Sequence, residues 1–274
     1  MRTFKYSLVT LTVSILVMVA ADVAQATVLR AFVSSTGNDA NAATNCAQTA
    51  PCKTFAGAFP TVTAGGELIA LDTSGYGPLS NINKAITIAA VPGATAFVVA
   101  ATGTAGFTIN GAASDTITLR RINFNGSNAL NTTGVLHNSG RLIVDECNFT
   151  QLTIGLSVVN SKVDVYSSNF DSNTTGIQTN GQGADDQMCP PCGGTTQVRL
   201  ERGNIRNNGN ALVALNPDFR PMSTDNRKPF LLHSDSSPTT NFAGNTTMQS
   251  GSGNGCTMGC FQVTINYGST ANPH

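Results

Sequence analysis

Apolar and polar residues alternate strictly in four segments of the middle of the chain: TITLRRINFNG from Thr116, RLIVDECNFTQ from Arg141, KVDVYSSNFDS from Lys162 and QVRLERGNIRN from Gln197. Ile117 and Leu119, Leu142 and Val144, Val163 and Val165, and Val198 and Leu200 fall on one face of each segment. Thr118 and Arg120, Ile143 and Asp145, Asp164 and Tyr166, and Arg199 and Glu201 fall on the other. Alternation with period two predicts a half-buried strand. A shorter apolar strand is expected after each, at GVLHN (134–138), GLSVVN (155–160), GIQTN (176–180) and ALVALN (211–216), each ending on Asn: Asn138, Asn160, Asn180 and Asn216.

The segment starts lie 25, 21 and 35 residues apart. Two or three short strands per twenty-odd residues predict a solenoid, whose coils bury their apolar faces only by stacking. Aligned columns follow from that stacking. Asn123, Asn148, Asn169 and Asn204 occupy one column, followed by Phe124, Phe149, Phe170 and Ile205. Asn at a coil corner would tolerate a left-handed backbone and pass amide hydrogen bonds from rung to rung. The column is therefore expected to be a buried corner ladder.

These repeats resemble the right-handed parallel β-helix proteins of the pectin-lyase-like group. FVSSTGNDAN from Phe32, APCKTFAGAF from Ala50, GGELIALD from Gly65 and LSNINKAITI from Leu79 resemble the start of exported bacterial members of uncharacterised function. The resemblance implies an all-β fold, a right-handed parallel β-helix solenoid with a short N-terminal capping helix. It does not fix an activity, because that fold carries lyases, hydrolases, epimerases, tailspikes and adhesins.

Taken in order, residues 1–26 read as a signal peptide: Arg2 and Lys5, an apolar run from Leu8 to Ala21, and the small-x-small site Ala24-Gln25-Ala26. An N-terminal cap segment is expected over 27–66, the parallel β-helix over 67–216 and an irregular C-terminal segment over 217–274. Thr54 is placed to cap a short helix carrying Phe55, Ala58 and Phe59, stopped by Pro60, that plugs the open end of the stack. The stretch 181–196, rich in Gly, Pro and Cys, reads as a loop leaving one corner.

Composition adds two constraints. Fifteen basic residues balance fifteen acidic ones, so neither nucleic acid nor an anionic membrane surface is an expected partner. After removal of the signal peptide no membrane association is expected, and the protein is read as secreted, periplasmic or held at the cell surface. Of seven cysteines, Cys147 sits in a core column and reads as a buried thiol. The other six form local candidate pairs, Cys46 with Cys52, Cys189 with Cys192 and Cys256 with Cys260, although sequence alone does not choose the connectivity. A four-thiolate zinc site from the last two pairs is the alternative; export favours disulfides. No cofactor is called for.

Candidate chemistry is sparse. Arg120 above Asp145 and Arg121 above Glu146 read as pairs between neighbouring rungs. Asp185-Asp186 is similar to the paired aspartates of polygalacturonases, but the His and Arg-x-Lys signatures of that group have no counterpart; His137 lies in LHNSG. The outward patch of Asp164, Tyr166, Arg199 and Glu201, with Asp185 and Asp186 folded over it, is the candidate ligand-contact site. An aromatic ring beside fixed polar groups suits a sugar. The expected role is contact with a polysaccharide or a structural part of the envelope, without catalysis. The alternative is a polysaccharide lyase or hydrolase. An enzyme needs at least three charged side chains converging in an outward groove, whereas a binder needs a flat ladder of Asn, Thr and Tyr.

Overall fold

The computed structural model describes residues 27–159, 161–180 and 197–215, with short strands at 232–233, 247–252 and 263–264. It is a right-handed parallel β-helix. Each coil contributes one strand to each of three parallel sheets. The third coil, for example, runs through Thr116–Arg120, Ile122–Asn125 and Thr133–Ser139. The next runs through Arg141–Asp145, Asn148–Thr150 and Ile154–Val159. Thr116–Arg120 and Arg141–Asp145 pair residue for residue in the first sheet, and Asn123, Asn148, Asn169 and Asn204 pair in the second.

The predicted inward columns are in the core. Ile117, Leu119, Leu142, Val144, Val165, Val198 and Leu200 are at most 2% exposed, as is Val163. What reads in sequence as one long strand is two, broken at a single residue. Arg121, Glu146, Ser167 and Arg202 take φ between 47° and 55°, turning the chain from the first sheet into the second. The left-handed corner thus falls two positions before the Asn column, which corrects the expected placement. The Asn residues lie on strands and face outward, half-buried, because the alternation of the second strand turns Ile122, Phe124 and their equivalents inward instead.

Three Phe rings of the second sheet, preceded by Phe107 of the third, fill the core. Phe107, Phe124, Phe149 and Phe170 succeed one another with centroids 5.1, 4.9 and 4.5 Å apart, the last two contacts stacked. Opposite them, Gly106, Gly134, Gly155 and Gly176 share one register position of the third sheet. A Cβ on Gly134 would lie 2.7 Å from the Phe149 ring, and one on Gly155 2.8 Å from Phe170. The glycines admit the rings.

The cap segment contributes the first strand, Val28–Val33, which pairs with Val62–Ala70. The capping helix spans Phe55–Ala58, with Thr54 Oγ1 accepting the Gly57 N–H, and a 3-10 turn at Phe59–Thr61 carries Pro60. Phe55 closes the stack as expected, wholly buried against Tyr76 and Phe107. Its position is held by the opening motif. Asp39 accepts the Lys53 and Thr54 N–H groups at 2.8 Å each and the Thr54 hydroxyl at 2.9 Å. The Cys46–Cys52 disulfide closes this loop. Asp72 joins cap to coil, accepting from the Ser34 and Ser35 hydroxyls at 2.8 Å and from Tyr76. Burial works to raise the Asp72 pKa, but these hydrogen bonds outweigh it and hold the carboxyl at about 2. Burial and the same carboxylate push the Tyr76 phenol upward.

At the other end, Leu232–His233 and Val263–Thr264 extend the first sheet and Thr247–Ser252 the third. Cys189, Cys192, Cys256, Cys260, Asp185 and Asp186 lie outside the described residues, as do Asn160 and Asn216. Asn180 pairs with Val159 and Leu215 rather than with another Asn. Cys147 is buried and free, and burial pushes its thiol up to about 12.

Candidate functional site

Two outward faces carry the polar side chains singled out above. On the first sheet, register brings Asp164 beside Arg199 and Tyr166 beside Glu201. Asp164 is already engaged from the preceding rung, accepting from Arg141 Nη2 at 2.7 Å and Nε at 3.1 Å. That contact holds the Arg141 guanidinium even more firmly charged. Arg120 meets Asp145 at 2.6 Å and Arg121 meets Glu146 at 3.0 Å. These are the neighbouring-rung pairs that the spacing predicts, each worth a few tenths of a kcal/mol, about the usual value for a solvent-facing pair. On the first-sheet face Arg120, Asp145, Arg141 and Asp164 are therefore already held in ion pairs, with Tyr166 next to Asp145 in the register.

The second sheet offers a different surface. Asn169 Nδ2 donates to Asn148 Oδ1 at 2.7 Å, and Asn204 Nδ2 to Asn169 Oδ1 at 2.5 Å. All these amides point the same way along the stack, about 4.8 Å apart. Asn123 shares the register, but its Oδ1 has no hydrogen-bond partner. The residue beneath it is Phe97, so the run of amides ends there. The expected four-membered ladder is linked through three members, and Asn148 is half-buried rather than buried.

A parallel outward column runs Val99, Asn125, Thr150, Asp171 and Arg206. Asn125 Nδ2 donates to Thr150 Oγ1 at 3.2 Å, while its Oδ1 takes the Ser127 N–H at 2.6 Å. Asp171 accepts from Arg206 Nε at 2.9 Å, Asn207 Nδ2 at 3.0 Å and Ser172 Oγ at 2.9 Å. Burial acts to raise the Asp171 pKa, but these contacts prevail and hold it below the ordinary carboxylate range. Together the two columns form a strip of amides with one hydroxyl, that of Thr150, and the Asp171–Arg206 ion pair closes its far end. Phe97 and the 53%-exposed Val99 form its apolar end.

Sequence reasoning found one column of this strip and missed the other, because Asn125, Thr150 and Asp171 are not one residue type. It also missed a second, buried amide pair at the next corner. Asn173 Nδ2 donates to Asn208 Oδ1 at 3.0 Å and to the Phe149 carbonyl at 2.9 Å, and Asn208 Nδ2 donates to the Phe170 carbonyl. Asn173 and Asn208 each follow a ladder Asn by four places, a spacing visible in only two coils. Among the described residues no group of three or more His, Cys, Asp or Glu is placed to hold a metal ion. Compared with known protein families, curated proteins and solved structures, the chain finds no match.

Proposed function

We propose that this is an exported, pectin-lyase-like β-helix that contacts a polysaccharide without cleaving it, through the outer face of the second sheet. The observation that carries the reading is the strip just described: fixed amides at rung spacing, Asn125 and the Thr150 hydroxyl beside them, and an apolar end at Phe97 and Val99. Side chains already held by one another lose little conformational entropy when a ligand lies on them. Sugars present both hydroxyls and apolar ring faces, which suits amides next to an aromatic ring. The basic start, the apolar run and Ala24-Gln25-Ala26 support export, and the Cys46–Cys52 disulfide is in keeping with it.

A lyase or hydrolase would need charged groups converging on a substrate. Asp145, Glu146, Asp164 and Asp171 instead each meet an arginine of an adjacent rung. The test is incubation of the purified protein with a panel of neutral and acidic polysaccharides, with binding and release of shorter products measured on the same samples. Retention of one polysaccharide class with no new chain ends is expected. New reducing or unsaturated ends would replace the reading by the enzymatic one.

A further inference from the structure

His137 takes an inward position that its neighbours fill with Ile109 on one rung and Val158 on the next. It is 0% exposed, and neither ring nitrogen has a partner at full hydrogen-bond geometry, the Gly140 and Lys162 backbone making only weak contacts with the ring. Burial pulls the imidazole down to about 4, against a weaker opposing pull from the nearby backbone of Gly140 and Lys162. Ser161, immediately before Lys162, is 4% exposed, and its Oγ also has no partner. Gly140 turns the chain from Thr133–Ser139 into Arg141–Asp145 with φ 92°, a backbone that residues with a Cβ rarely adopt. One corner of the stack thus buries an imidazole and a hydroxyl that no well-formed hydrogen bond satisfies, and buried polar groups of that kind are costly.

The surroundings do not supply a countercharge. Inward positions of the first sheet carry Ile117, Leu142 and Val163. The charged groups on the elements packed at this corner are Asp115, Arg141, Asp164 and Lys162. Arg141 binds Asp164, Asp115 takes the Ala112 N–H, and Lys162 is exposed. Cys147, the titratable group in the inward columns, lies at the corner between the first and second sheets and stays protonated.

We infer that His137 is an acid-operated latch: neutral, it seats the third coil in the stack; protonated, it leaves the core and opens the Ser139–Gly140 corner with the strand Thr133–Ser139. The direction follows from linkage. A base whose folded pKa lies below its unfolded value stabilises the fold fully above the unfolded pKa. That contribution is lost as pH falls from there toward the folded pKa. The window is therefore pH 6.5 down to about 4. Asp72, held at about 2, gives up its contribution only below about pH 4, so it leaves this window to His137.

The test is hydrogen exchange of the strands 105–110, 133–139 and 154–159 on the full chain, corrected for the intrinsic pH dependence of exchange. Between pH 7 and pH 5 the opening equilibrium of these strands should rise about twentyfold if the imidazole titrates at about 4 folded and 6.5 unfolded. His137→Leu and, should that variant fold poorly, His137→Gln should remove the rise. In the wild type, nuclear magnetic resonance of the three imidazoles should show His137 still neutral at pH 5 in the closed state. An unchanged rise in both variants, or an imidazole that titrates near 6.5 while the coil stays closed, would overturn the latch.

Discussion

Replacing Phe149 by Ala should lower the stability of the folded chain by about 3–5 kcal/mol, read as a lower denaturant midpoint. The ring is wholly buried, stacked 4.9 Å above Phe124 and 4.5 Å below Phe170 with interplanar angles of 11° and 1°. The cost of a truncation depends on how far the neighbours can move in. Here they are held back. Asn148–Thr150 is hydrogen-bonded on both sides, to Ile122–Asn125 and to Asn169–Asp171, so neither rung can sink into the gap. Phe124 and Phe170 would each lose a stacked partner as well as apolar cover. A loss below about 1 kcal/mol would mean that the rings do not form the continuous core described.

Adding one methyl group should harm the same core from the opposite side. Gly155→Ala would put a Cβ 2.5 Å from the Gly176 carbonyl oxygen and 2.8 Å from Phe170 Cδ1. The oxygen is backbone, fixed by the pairing of Ile154–Val159 with Thr175–Asn180, and the ring is fixed by its stack. The rungs must spread or the ring must leave its rotamer, and overpacking of this kind costs about 1–3 kcal/mol. We expect a loss at the upper end of that range, because both obstructions are rigid. Gly75→Ala is the control: a Cβ there meets nothing within 4 Å, and Gly75 does not take a positive φ. It should leave the denaturant midpoint unchanged. Equal effects of the two substitutions would contradict the account of the glycine column.

The same contrast explains what could be read from the chain beforehand. Strand alternation was legible because it repeats in four coils and follows from burial alone: Ile117, Leu142, Val163 and Val198 must all face one core. The corners were not legible. Their left-handed residues are Arg121, Glu146, Ser167 and Arg202, none of them Gly or Asn, so no residue type announces the turn. The Asn column was visible as a pattern but misplaced, since an aligned amide serves equally on a corner or along an outward strand face. Glycines head GVLHN, GLSVVN and GIQTN in the sequence, but their purpose appears only when the opposing Phe rings are in place. His137 and Asp72 were missed as special positions because each stands alone, without a period to mark it. Of the candidate patch on the first sheet, the register brings Asp164, Tyr166, Arg199 and Glu201 onto adjacent rungs, while Arg141 already occupies Asp164.

The central claim is that the second-sheet strip is the contact surface for a polysaccharide. The most direct measurement compares binding of the retained polysaccharide by the wild type, Thr150→Arg and Tyr166→Ala. Thr150 lies mid-strip on an outward position, so arginine there projects over the amides without entering the core. Tyr166 belongs to the other face. The account predicts at least about a tenfold loss of affinity for Thr150→Arg, which is about 1.4 kcal/mol, with an unchanged fold, and wild-type affinity for Tyr166→Ala. Undiminished binding by Thr150→Arg together with its loss in Tyr166→Ala would contradict it and move the surface to the first sheet.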